Sequence, residues 1–163
     1  MNQSTAVNSI EKFYATDRHI GTSSWIRITQ NMISNFGETT LDPDPMHVDP
    51  EWSKENSPYP GTIAFGFLTS SLLTHLLHDA MGSSNSWDMS AHGYILNYGM
   101  DYLRFLNPVT VNSRVRGRFK SLGFRLDKKE RYVIKLGCEI EIEGEEQLAM
   151  VAEWLTIYMP HDT

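Results

Sequence analysis

A carboxylate and an imidazole lie five residues apart in the segment Asp-Pro-Asp-Pro-Met-His at positions 42–47, here called the Asp–His turn. Asp42 and His47 can move protons to and from a substrate near neutral pH, because an imidazole titrates in that range. The prolines predict a stiff turn rather than a helix, which holds both side chains at little entropic cost. Further along, Gly66 lies in the first turns of a predicted apolar helix, whose free N–H groups can hold negative charge on an oxygen. These are the groups needed to add water to an activated double bond, or to remove it.

The Asp–His turn also has a purely structural explanation. Asp-Pro-Asp-Pro is a common turn sequence, and both Asp44 and Asp49 are suited to capping a helix. Pro50 after Asp49 predicts the first residue of a short helix that ends before residue 57. Gly66, in turn, could serve only close packing of a helix against a sheet. Taken alone, the turn is more often structural than catalytic, so its assignment depends on the rest of the chain.

The apolar pattern predicts one long buried helix and a set of strands. The helix runs from about Thr62 to Met81 and is apolar on nearly all sides, which is typical of a buried helix. A second helix is predicted over Gln30–Thr39, with Gly37 as its stop. The predicted strands are Ser24–Thr29, Tyr94–Phe105, Val109–Leu126, Arg131–Glu143 and Gln147–Tyr158. This order predicts an α+β fold in which a curved antiparallel sheet wraps around a long central helix.

The composition indicates a single globular domain. The chain has 163 residues and a net charge of −6, which argues against nucleic-acid binding because such surfaces are normally basic. No stretch is long and apolar enough to span a membrane, and residues 1–20 show no signal-peptide pattern. Cys138 is the single cysteine, which fits a reducing cytoplasm. We expect an N-terminal lead-in over residues 1–20 and one domain over residues 21–163.

Three sequence blocks resemble the MaoC-like hydratases, which include the (R)-specific enoyl-CoA hydratases and the 3-hydroxyacyl-thioester dehydratases. The Asp–His turn corresponds to the family motif Asp-x-Asn-Pro-x-His. Residues 61–69, Gly-Thr-Ile-Ala-Phe-Gly-Phe-Leu-Thr, are similar to the start of the family's central helix. Residues 97–105, Asn-Tyr-Gly-Met-Asp-Tyr-Leu-Arg-Phe, are similar to a long strand of the nodulation protein N-like branch. The resemblance covers the chain from about residue 20 onward.

The resemblance implies a hot-dog fold, a homodimer whose sheets join edge to edge, no cofactor and no metal. It implies a hydro-lyase acting on a coenzyme A or acyl-carrier-protein thioester, with no nucleic-acid or membrane partner. Asp42 and His47 would be the catalytic pair, and the backbone N–H of Gly66 the oxyanion donor. The residues expected to contact the substrate are Asp44, Thr62, Phe65, Asn97, Tyr98, Gly99 and Arg104. Two of them depart from the family pattern, since Asp44 replaces an amide and Phe65 replaces a histidine.

Several alternatives remain open at this stage. A thioesterase of the same fold would usually carry a catalytic carboxylate on its central helix, and residues 63–73 contain none. The departures at Asp44 and Phe65 favour a non-catalytic thioester-binding module. Tyr98 could be an ordinary core aromatic residue and Gly99 a β-bulge.

Two clusters of charged or histidine residues also have competing explanations. His75, His78 and Asp79 have a spacing that is compatible with metal binding. A structural role near a helix end is favoured instead. Alternating basic residues at 114–120 could bind the phosphates of coenzyme A. We favour instead an ion-pair ladder with the alternating glutamates at 139–143, across a hairpin that turns at residues 127–129.

Overall fold

The computed structural model describes residues 11, 13–85, 93–129 and 131–160. Within them the helices are α1 Gln30–Thr40, α2 Pro45–Val48, α3 Pro50–Asn56, α4 Gly66–Ser71 and α5 Leu73–Asn85. The strands are β1 His19–Thr22, β2 Ile26–Arg27, β3 Gly93–Phe105, β4 Arg114–Leu126, β5 Tyr132–Ile142 and β6 Met150–Pro160. Residues 1–10 of the predicted lead-in lie outside the described residues.

The strands form one antiparallel sheet in the order β1-β4-β5-β6-β3, with the short β2 also paired to β4. Buried and more exposed residues alternate along β4 and β5, so each strand turns one face to the core. Gly99 and Gly123 lie at shifts in the pairing register, as expected for glycines at bulges. The four long strands form close to their predicted positions, although β4 begins at Arg114 instead of Val109 and β6 begins at Met150 instead of Gln147.

The central helix packs its apolar residues into the sheet. Leu76 is completely buried, and one continuous core joins the helix to the inner face of the sheet. The helical members of this core are Leu68, Leu73, Leu76, Leu77 and Met81, and the sheet members include Val115, Phe119, Ile134, Leu136, Ile140, Met150 and Trp154. Each such buried side chain contributes about 1.5–3 kcal/mol of transfer free energy. The α+β hot-dog architecture predicted from the sequence is confirmed.

The central helix begins at Gly66, four residues later than predicted. Residues 62–64 are extended because they pair with residues 109–111: the Ala64 N–H donates to Val109 O at 2.7 Å, and the Val111 N–H donates to Thr62 O at 2.9 Å. From Gly66 the helical path continues through Leu72, which has right-handed helical angles, into α5. The later start makes Gly66 the first helical residue.

Two local predictions around the Asp–His turn are wrong. The turn is not free of helix, because Pro45–Val48 form the short helix α2 with Pro45 at its first position, where a proline is tolerated. Gly37 does not stop α1, which continues to Thr40. Gly37 instead allows close packing, since a Cβ there would lie 2.9 Å from both Asp42 O and a Val48 methyl carbon.

Residues 14–22 take part in the fold. Strand β1 begins at His19 and pairs with β4, and the Tyr14 side chain is only 2% exposed in the core. The predicted strand Ser24–Thr29 is reduced to Ile26–Arg27. No helix among the described residues is long and apolar enough to cross a membrane.

The outer face of the sheet carries the predicted ion-pair ladder. Arg116 lies opposite Glu141 in the β4–β5 register, and their side chains approach to 2.5 Å. Arg118 pairs with Glu139 in the same way. Arg114 pairs with Glu143 at 2.8 Å, so the three arginines of the predicted row form the ladder, while Lys120 lies opposite Gly137.

Candidate functional site

The Asp–His turn is held by two aspartate caps. The Asp44 carboxylate accepts a hydrogen bond from the Met46 N–H at 2.9 Å and caps α2. The Asp49 carboxylate accepts one from the Trp52 N–H at 3.0 Å and caps α3. Both capping roles follow from the sequence, because aspartate followed by proline is a strong helix-start signal. The caps fix the direction of the one-turn helix that carries His47.

Asp42 lies between the end of α1 and the start of α2. Its N–H donates to Gly37 O at 2.9 Å, which ties its backbone to the end of α1. One carboxylate oxygen accepts a weak hydrogen bond from the Asp44 N–H at 3.3 Å. The side chain is exposed, so its second oxygen is open to a ligand.

The His47 ring is oriented by a backbone carbonyl. Its Nδ1 atom lies 2.7 Å from Ile63 O. A carbonyl oxygen can only accept, so Nδ1 must carry the proton and donate it. In the neutral ring, Nε2 is then the unprotonated nitrogen that can act as a base. The ring also stacks on Phe65, with centroids 3.9 Å apart.

Phe65 connects His47 to the start of the central helix. It is 5% exposed, contacts Phe36 at a centroid distance of 5.3 Å, and directly precedes Gly66. No side chain caps α4, so the first N–H groups of the helix lack a side-chain partner. A Cβ at Gly66 would lie 2.8 Å from ring atoms of Phe105, so the position has room for glycine only unless that ring moves. The candidate base therefore contacts the residue that directly precedes the expected oxyanion donor.

The predicted contact residues of β3 separate into two groups. Asn97 and Gly99 line a cavity of about 240 Å³ between β3, β6 and the central helix. The other lining residues are Ser70, Ser71, Leu73, Thr74, Met100 and Trp154. Tyr98 is 54% exposed, so it is not the core aromatic residue that the alternative required. Arg104 is exposed and lies over the Tyr102 ring at 5.0 Å.

Thr62 is fully buried and contacts another side chain. Its hydroxyl donates to Gln30 Oε1 at 2.5 Å, and Gln30 Nε2 donates to His47 O at 3.0 Å. Gln30 has no distinguishing signal in the sequence, because a glutamine in the first turn of a helix is ordinary. It contacts the candidate base only because α1 packs beside α2.

Asp79, which follows the histidine pair on α5, contacts the backbone of a distant segment. Asp79 accepts a hydrogen bond from the Ser24 N–H at 2.5 Å, which holds the pKa of its carboxyl below the usual value. His75 lies close enough to lower that pKa slightly further. No group of three or more potential metal-binding side chains occurs within the part of the chain that the structure describes.

The fold is that of a hot-dog protein, in which a histidine packs on the residue that precedes the start of the central helix. The family described as "MaoC like domain" matches residues 12–141. The nodulation protein N of Rhizobium meliloti is 38% identical over 140 residues, covering 86% of this chain and 84% of that protein. The 3-hydroxyacyl-thioester dehydratase Z of Mycobacterium tuberculosis is 32% identical over 145 residues, covering 89% and 91%. The chain belongs to the MaoC-like family.

Solved structures show the same fold. An (R)-hydratase from A. caviae, described as involved in PHA biosynthesis, superposes with a TM-score of 0.64 at 22% identity. The match covers 84% of this chain and 94% of that chain. Over most of both chains, the helix and the sheet therefore share one arrangement.

Proposed function

We propose that the protein is a hydro-lyase that interconverts trans-2-enoyl and (R)-3-hydroxyacyl thioesters. The observation that carries this proposal is the orientation of His47, whose Nδ1 proton is held by Ile63 O so that Nε2 is the basic nitrogen. The names of the dehydratase and (R)-hydratase relatives support a thioester substrate and this class of reaction. Coenzyme A and an acyl carrier protein are both suitable carriers.

The three site residues would share the reaction as follows. Nε2 of His47 takes a proton from water while the water oxygen bonds to the β-carbon of the enoyl thioester. The electron pair of the double bond moves toward the thioester oxygen, where the Gly66 N–H stabilises the charge. Asp42 orients the water, and the Asp42–His47 pair returns the proton to the α-carbon. Dehydration is the same sequence in reverse.

The cavity beside the central helix is the proposed site for the acyl chain. It has a volume of about 240 Å³ and contains Leu73, Met100 and Trp154 among its lining residues. These apolar side chains suit the first carbons of an acyl group, while Asn97 supplies a polar contact.

Hydration of crotonyl-CoA, measured as loss of the enoyl-thioester absorbance, tests the proposal. Asp42→Asn and His47→Ala should each lower kcat/KM by about 10²–10⁴-fold, because each removes a group that handles protons. Asp49→Asn is the matched control, since it makes the same substitution at a cap where asparagine serves equally well. Chiral chromatography of the product should give the (R) isomer.

Different outcomes would support the alternative functions. Release of free thiol from acyl-CoA without hydration would identify a thioesterase. Crotonyl-CoA binding with neither reaction would identify a non-catalytic module. Hydration that survives both site substitutions at full rate would remove Asp42 and His47 from the mechanism.

We also propose a homodimer formed through strand β3. This strand pairs with β6 alone among the described strands, so no described strand covers its other edge. It also exposes apolar side chains, among them Tyr94, Leu96, Tyr98, Met100 and Tyr102, each 38–54% exposed. An open apolar edge is a template for pairing with another strand. Light scattering should give twice the chain mass, and Tyr98→Glu should shift it toward the monomer.

We further propose a cytoplasmic location, which the single buried Cys138 supports.

A further inference from the structure

The side chain of Gln30 joins the candidate base to the strand-like segment that orients it. Its Nε2 atom lies 3.0 Å from His47 O and 3.1 Å from Ser34 Oγ, and its Oε1 atom lies 2.5 Å from Thr62 Oγ1. Thr62 is completely buried and precedes Ile63, whose carbonyl holds the His47 ring. Three hydrogen bonds and the peptide link between Thr62 and Ile63 thus join Gln30 and His47 in a closed ring.

The chemistry of the contacts determines which way the Gln30 amide faces. His47 O is a carbonyl that can only accept, so the amide nitrogen must face it. The amide oxygen then faces Thr62, whose hydroxyl must donate. The orientation is therefore set by the acceptor at His47 rather than by an arbitrary assignment of the amide atoms.

The His47 carbonyl needs a partner of this kind because α2 ends one residue later. In a longer helix this carbonyl would accept from the N–H four residues on, but the chain leaves the helical path at Asp49, which has extended backbone angles. Gln30 lies in the first turn of α1, directly after the cap Thr29 that fixes where the helix begins. The Gln30 side-chain amide donates to the His47 carbonyl in place of the backbone N–H that a longer helix would supply.

We propose that Gln30 is a positioning residue for His47, and that Thr62 in turn orients the Gln30 amide. The proposal rests on the proposed function, in which His47 Nε2 is the base. Gln30 holds the backbone of His47, and Ile63 O holds its ring. Together the two contacts fix the direction in which Nε2 points. Both N–H groups and the oxygen of the Gln30 amide have partners within the protein, which leaves no donor for a substrate. Thr62 accordingly has a positioning role instead of the substrate contact expected from the family.

Kinetics with crotonyl-CoA and nitrogen NMR of the His47 ring test the proposal together. Gln30→Met keeps the length of the side chain and removes all three hydrogen bonds, so kcat should fall by up to about a hundredfold. KM should change by less than about twofold, because Gln30 does not touch the substrate. The NMR signals should change from a single Nδ1-protonated form to a mixture of both neutral forms.

A second pair of variants separates positioning from general loss of structure. Thr62→Val removes the hydroxyl at nearly constant shape and should lower kcat in the same direction, while Thr62→Ser should restore it. Gln147→Met is the control, because the Gln147 amide donates to Leu106 O at 2.9 Å on an exposed surface and should show wild-type kinetics. If Gln30→Met does not fold, Thr62→Val carries the test.

The outcomes distinguish this proposal from the proposed function. Wild-type kcat together with a wild-type His47 ring signal in both Gln30→Met and Thr62→Val would overturn the positioning role. A wild-type protein that does not hydrate crotonyl-CoA would instead remove the proposed function. In that case, a change of the ring signal in the variants would still support the contact of Gln30 with His47.

Discussion

Replacing Leu41 by glycine should stabilise the protein. Leu41 ends α1 with φ of 58° and ψ of 34°, in the left-handed region that glycine adopts readily and leucine does not. Its side chain is 88% exposed, so it contributes little burial in this position. The residue directly precedes Asp42, which means that the strain lies beside the candidate site.

The size of the effect follows from two opposing terms. The left-handed conformation costs a residue with a Cβ about 1–2 kcal/mol, which glycine does not pay. Glycine loses more backbone freedom on folding, at a cost of about 0.5–1 kcal/mol. At the middle of both ranges, the difference favours Leu41→Gly by about 0.75 kcal/mol. For a domain of this size, the melting temperature should rise by about 1–4 °C.

Thermal unfolding followed by circular dichroism measures this change, and Leu41→Ala is the matched control. Alanine keeps the positive φ and removes only the exposed side chain, so it should leave the melting temperature unchanged. If alanine stabilises the protein as much as glycine does, the exposed side chain and not the backbone angle is responsible. If Leu41→Gly lowers the melting temperature, the account of backbone strain is refuted.

Three further predictions concern the site, the core and the outer face of the sheet. Gly66→Ala should lower kcat/KM for crotonyl-CoA by more than tenfold, because its Cβ would lie 2.8 Å from the Phe105 ring and displace the first helical N–H from the proposed oxyanion position, whereas Gly61→Ala, with a 3.4 Å contact, should keep full activity. Burial raises the pKa of the Cys138 thiol to about 12, so a thiol reagent at pH 8 should label it only after urea unfolds the protein. A double-mutant cycle on Arg116 and Glu141, whose side chains are 35% and 18% exposed, should give a coupling of about 0.5–1 kcal/mol that decreases in 1 M salt.

The parts of the fold that could be predicted are those with a strong local pattern. The β4 and β5 strands show clear alternation, and residues 66–81 are apolar on nearly all sides. Strand β1 could not be predicted, because its four residues have no apolar alternation and are held by pairing with β4. The same reason explains the late start of the central helix, since the extended form of residues 62–64 depends on residues 109–111, far along the chain.

The candidate site likewise has features that neighbouring residues determine and features that depend on distant contacts. The caps at Asp44 and Asp49 depend on neighbouring residues, and the sequence predicts them. The orientation of the His47 ring depends on a carbonyl 16 residues away, and the contact between Gln30 and Thr62 spans 32 residues. Glutamine and threonine are common in the positions that they occupy, so no local pattern marks them. Which nitrogen of the neutral His47 ring carries the proton decides which nitrogen can act as a base. That assignment therefore follows only from the packed structure.

The two departures from the family pattern have structural explanations that leave the proposed reacting groups in place. Asp44 caps α2, a role in which aspartate and asparagine are nearly equivalent, so a carboxylate can replace the family's amide there. Phe65 packs between Phe36 and the His47 ring, where an aromatic side chain contributes apolar contact without needing a polar partner. Neither substitution removes the open Asp42 oxygen, the Nε2 atom of His47 or the N–H of Gly66. These departures were the grounds for a non-catalytic module, so their structural explanations support the proposed hydro-lyase over that alternative.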